Sequence, residues 1–192
     1  MSLIGFKRMT IGIIDPLTGL MTESHVIEGG EGEGATVSAE ISGLSSDPVK
    51  VYGSDVLYYV LQKGVGEVEA DFGVLDMPPT VNDKILGYKT TVDTFAFIGE
   101  DTEPPYCAVV LESDTLSGGK AMLGMFKGKF RKESISLATK EGENVTPEAE
   151  SYVFSAVACD RAGEGKGQTV VKYIGDTKET EFKALVMPVA GV

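Results

Sequence analysis

Nucleophilic catalysis needs a serine or cysteine beside a histidine that an acid holds in place. The chain has one histidine, His25, in an acidic stretch far in sequence from its two cysteines, Cys107 and Cys159. That placement predicts a solvated surface histidine. The cysteines each interrupt an apolar run, as buried thiols packed as small hydrophobes do. Neither sits in a Cys-x-x-Cys or other ligand spacing, so no metal site and no disulfide framework is expected. The glycine clusters GGEGEG, SGGK and GEGKG invite comparison with phosphate loops. None fits G-x-x-x-x-G-K-[ST], because Lys166 is followed by Gly167. Nor is there a D-x-[DN]-x-[DN]-G series for calcium. No cofactor is implied.

Two charged rows remain. Glu67, Glu69 and Asp71 alternate with Val68, Ala70, Phe72 and Val74. A period of two is the strand period, so the three acids share one face of a half-buried strand. Neighbouring carboxylates then stand about 6.7 Å apart and repel by roughly 0.6 kcal/mol in a water-like dielectric. A solvated face is the plain reading of so small a cost. The sharper one is a surface meant to be negative, either lining a passage or meeting the row Lys127, Lys129 and Arg131.

The elements that position these rows are mostly strands. After Val74 the alternation breaks at Met77-Pro78-Pro79, since proline cannot donate to a ladder. Thr80 reads as a helix N-cap, Val81, Ile85 and Leu86 fall at helical spacing, and Gly87 reads as the C′ residue. So short a helix must pack on the sheet it interrupts. Further strands are expected over 9–14, 36–41, 92–98, 106–111, 121–131, 135–139, 152–159 and 169–174. Val49–Gln62 reads as one long strand with a bulge at Gly53. Tyr106–Leu111 is apolar on both faces, as in a sheet covered on both sides. The tail from Thr177 reads as a weak helix or a last strand.

Thr22–Asp47 carries Glu23, Glu28, Glu31, Glu33, Glu40 and Asp47 with no lysine or arginine. Its centre, Glu28, Gly29, Gly30, Glu31, Gly32, Glu33 and Gly34, is too charged and glycine-rich to bury anything. The segment 22–47 is therefore read as a mobile acidic loop or arm. The whole, 1–192, reads as one mainly β domain, a β-sandwich or barrel-like fold with one short flanking helix and extended loops or arms. At 192 residues a sizeable core is possible. The net charge of −12 speaks against gripping nucleic acid. No apolar run approaches the ~20 residues that cross a membrane, and Gly5 with Lys7-Arg8 cuts short any secretory signal. Two thiols without a framework suit a reducing compartment such as the cytosol.

Several passages in order resemble the tail-tube proteins of bacteriophages with long, non-contractile tails. They are GFKRMTIGIID, FGVLDMPPTVNDKILGYK, EPPYCAVVLES, MFKGKF and SLATKEGENVTPEAESYVFSAVAC, spanning Gly5 to Cys159. The resemblance implies a structural virion protein with no catalytic residues. It implies self-assembly, six copies to a ring and rings stacked around a tape-measure protein, alongside other tail proteins. DNA later passes through the tube without sticking, and no membrane is involved. Assembly in the host cytoplasm and residence in the virion tail follow. Glu67, Glu69 and Asp71 become candidates for the lumen, Lys127, Lys129 and Arg131 for an intersubunit contact, and Glu28–Gly34 for a stacking arm. Two other readings stay open: a β-sandwich that binds a carbohydrate or protein ligand, and a hydrolase working with a pair of acids.

Overall fold

The computed structural model describes residues 2–92, 95–137, 139 and 147–189. The alternation around the acidic row fixes a strand, Val68–Leu75, with Val68, Ala70, Phe72 and Val74 all buried. Seven residues of helix follow, Pro79–Ile85 (α1). The helix starts two residues earlier than expected. Pro79 takes the first helical position, where its missing N–H costs nothing, and Pro78 rather than Thr80 precedes it. Val81, Ile85 and Leu86 are buried against the sheet, and Gly87 turns the chain out with φ +69°.

In chain order the strands are β1 Leu3–Ile14, β2 Met21–Ile27, β3 Ala35–Ser42, β4 Val49–Gly53, β5 Val56–Leu61, β6 Val68–Leu75, β7 Lys89–Thr90, β8 Ala96–Phe97, β9 Cys107–Thr115, β10 Lys120–Arg131, β11 Glu150–Val157 and β12 Val170–Ile174. The main sheet is antiparallel, in the order β2-β1-β9-β10-β11-β6-β3, with β12 also paired to β10. It curls until its far strand returns towards β1, where the Thr36 hydroxyl donates to the Phe6 carbonyl at 2.7 Å. Inside the curl lies the larger core, with Met9, Ile11, Phe72, Met125, Phe130, Tyr152, Phe154 and α1. On the outer face a second helix, Glu179–Val186 (α2), seals Ala108, Val110, Met122 and Phe126 beneath Phe182 and Val186. Cys107–Leu111 is thus buried on both faces, as its composition predicted.

Five expectations are corrected. Within 22–47 the expected strand at 36–41 is present as β3, but Met21–Ile27 is a further strand, β2, and not part of an arm, since an edge strand needs only one buried face. Val49–Gln62 is two strands, not one. Of the region 92–98 only Ala96–Phe97 (β8) is strand, paired with Lys89–Thr90 (β7), and 93–94 lie outside the described residues. Ile135–Leu137 and Thr139 are exposed and form no strand, while 138 lies outside the described residues. The tail takes the helical one of its two readings, so the described residues hold two helices rather than one.

Charges hold α2 to the sheet. Glu179 accepts from Lys120 and Lys183, each at 2.9 Å, and Lys183 reaches Glu112 at 2.8 Å. The two lysines keep the Glu179 carboxyl at about 2, well below the usual carboxylate range. A depressed carboxylate contributes stability that is complete above its unfolded value near ~4.3 and disappears as pH falls through the folded value. Glu179→Gln should therefore flatten the acid limb of the melting temperature between about pH 4.3 and 2. An unchanged limb in thermal unfolding scans would show that the clamp contributes nothing.

Candidate assembly surface

β4 and β5 form a hairpin that no part of the described chain covers. Ser54 and Asp55, at φ +53° and +63°, form its tip, the left-handed pair that a two-residue hairpin turn requires. The ribbon continues the β3–β6 pair. Gly66 N–H donates to the Gly43 carbonyl at 2.8 Å, and Ser46 N–H to that of Gly64 at 3.3 Å. At this neck only glycine fits: a Cβ on Gly43 would lie 1.8 Å from the Glu67 carbonyl oxygen.

Every residue of both hairpin strands is exposed. One face carries Val49, Val51, Tyr59 and Leu61, paired by register, and Tyr58 packs over Gly53 beside them. The other carries Lys50, Tyr52, Leu57 and Val60. Tyr58 is 80% exposed. Between Val49 and Leu61 the only charges are Lys50 and Asp55, which cancel. A lone two-stranded hairpin is marginal in water, and an apolar patch of this kind marks a contact surface. The sequence reading missed it by taking Gly53 for a bulge. The signal was present in Gly53-Ser54-Asp55, a turn cluster between two apolar runs.

The two charged rows lie on one face of the sheet, two strands apart. Register places Glu69 opposite Ser155 and Ser155 opposite Lys129, then Asp71 opposite Val153 and Val153 opposite Arg131. They meet at one point: Arg131 reaches Glu69 at 3.4 Å, and the Ser155 hydroxyl donates to Glu69 at 3.0 Å. Lys127 instead pairs with Asp160 at 2.6 Å and Lys129 with Glu103 at 3.4 Å, both over the Tyr106 ring. Glu67 and Asp71 have no ion partner among the described residues. Asp71 also faces Glu40 across the β3–β6 ladder, both exposed, a like-charge pairing that is unfavourable.

Glu28–Gly34 closes into a tight turn, with Gly29 N–H donating to the Gly34 carbonyl at 2.9 Å and Glu33 N–H to that of Gly30 at 3.0 Å. Its Glu28 accepts from Arg8 at 2.6 Å. His25 is not solvated as expected. It is part-buried on β2, 3.3 Å from Glu23, and burial lowers its pKa. Burial pushes the Cys107 thiol up to about 12, and Cys159 is buried too. Neither cysteine meets the histidine: Cys107 pairs with Ile13 on β1, whereas His25 pairs with Ile11. No helix among the described residues is long and apolar enough to cross a membrane.

The curled antiparallel sheet, sealed by two short helices and bearing an uncovered apolar hairpin, defines a mainly β structural protein. A family model described as phage tail tube protein matches residues 1–191, and the chain belongs to that family. Its role is structural, as a component of the virion tail. Comparison with curated proteins returns no match.

Proposed function

We propose that copies of this chain close into rings of six, which stack through their β4–β5 hairpins into the tube of a long, non-contractile tail. The hairpin is the observation that carries this reading. Each copy bears −12 charges and repels its neighbours, whereas the hairpin is apolar and neutral. Burying one of its large side chains contributes ~1.5–3 kcal/mol, so a few of them offset that repulsion once salt screens it over ~8 Å. The ring count and the tape-measure protein inside the tube come from the family resemblance, as does assembly in the host cytoplasm. The Glu28–Gly34 turn is a second stacking element, with the exposed Glu31 offered to a neighbour. The role is one of scaffolding without catalysis.

Negative-stain imaging and light scattering of purified protein test this. Rings or tubes should appear as concentration and salt rise. Monomers persisting to millimolar concentration under several salt conditions would overturn the reading.

The face bearing Glu67, Glu69 and Asp71 lines the passage in this proposal, and the repulsion between carboxylates and phosphate lets DNA slide. Glu67→Lys with Asp71→Lys spares the Glu69–Arg131 contact and takes each copy from −12 to −8. Tubes should still assemble and should now hold DNA in a manner that weakens steeply with salt. Tubes that form but ignore DNA would remove this face from the lumen. Lost assembly, restored by reversing Lys129 and Arg131 to glutamate, would assign both rows to an intersubunit contact.

A further inference from the structure

A hairpin that docks on its own twin closes a dimer and stops there, whereas a growing stack needs a donor surface and a different acceptor on every copy. The donor has two unlike faces. One is wholly apolar; the other sets a single cation, Lys50, beside Tyr52, Leu57 and Val60. An acceptor for that second face should offer exposed apolar side chains, a recess and an uncommitted carboxylate.

A groove beside the β7–β8 hairpin combines all three, with two large exposed apolar side chains in its lining. Between the β7–β8 hairpin and the turn that follows lies an open groove of about 390 Å³, the floor of which includes Phe97 and Ile98. Both are uncovered, at 58% and 61% exposed. Lys89 and Asp101 pair across the groove at 2.7 Å and so neutralise each other. Glu100, on its rim, has no ion partner among the described residues. The groove cannot be filled by its own chain's hairpin as the molecule stands, because every strand residue of both elements is solvent-exposed.

We infer that this groove receives the Lys50–Tyr52–Leu57–Val60 face of the hairpin from a second copy of the chain. Tyr52 and Leu57 lie against Phe97 and Ile98, and Lys50 pairs with Glu100. The inference rests on the reading that hairpins join copies, and it adds the surface they join to. The apolar anchors supply the attraction. The charge pair sets the register, because a shifted hairpin would leave Glu100 facing only apolar side chains.

A disulfide trap tests the geometry in assembling protein. Tyr52→Cys and Ile98→Cys combined in one chain should give, on mild oxidation, a ladder of covalent multimers on a non-reducing gel. Each single variant should give none beyond a dimer, and the native Cys107 and Cys159 are buried and stay silent. Tubes that form without a ladder would overturn the acceptor assignment while leaving the hairpin reading intact. Failure of the unaltered protein to form tubes at all would sink the reading beneath it. Charge reversal gives an independent arm. Lys50→Glu and Glu100→Lys should each slow assembly about fivefold, and the two together should restore the rate. A double variant as slow as either single would reject the pair.

Discussion

Phe72→Ala will destabilise the subunit by about 3–5 kcal/mol, the range for a buried aromatic cut to alanine. The Phe72 side chain is 1% exposed at the centre of β6. Its ring lies 6.2 Å from that of Phe130, which lies 4.8 Å from that of Phe154. These three strands are joined by continuous ladders, β10 to β11 to β6. A void beneath Phe72 therefore cannot close without breaking pairing on both sides. Against a typical total of ~5–15 kcal/mol, the loss brings a stable domain near its threshold. Urea unfolding of dilute, unassembled protein measures it. A loss below ~1 kcal/mol would mean that the strand presents its other face inward. Phe97→Ala supplies the contrast: more than half exposed, it should change stability by under ~0.5 kcal/mol.

Excising the hairpin should do the reverse, leaving the fold and abolishing the tube. Replacing Val49–Leu61 by Asn-Gly keeps the neck and gives the shortened ribbon a favourable turn. None of the removed residues belongs to either core, so the unfolding midpoint should hold within the effect of ~1 kcal/mol. Imaging should show no tubes at concentrations where the intact chain forms them. Unfolding of the variant would place the hairpin in the structural core. Tubes of normal length would deny it any part in stacking.

The β6–α1 unit was legible because its period changes from two to helical spacing at a proline pair, and each signal has one physical cause. β9 was legible because uninterrupted apolar sequence in so short a run fits a strand covered on both faces. The hairpin was not, and for a related reason. Val49–Leu61 has apolar residues on both faces, which fits a central strand as well as an uncovered ribbon. Burial is what separates them, and it depends on what lies above the strand. β2 was hidden by its polar residues and by the acids that follow it. Only alternate residues of an edge strand need cover, and Glu23, His25 and Ile27 turn towards the core side while Thr22, Ser24 and Val26 face out. The charged rows were read correctly as faces, but their pairing was not readable. Which lysine meets which carboxylate depends on β11 lying between them, and on Asp160 and Glu103 arriving from distant loops.

The hairpin and the core sheet are one ribbon, and this bears on how the subunit would carry mechanical load. A pull on the tip runs lengthwise through the neck into β3 and β6. β6 passes it to β11 through seven consecutive residue pairs, Val68 to Val74. Ladder bonds stand perpendicular to the strands, so such a pull shears all of them together instead of peeling them one by one. Tension is then shared across the sheet, while bending concentrates at the glycines of the neck. Such a subunit resists stretching along the ribbon and yields to flexing across it.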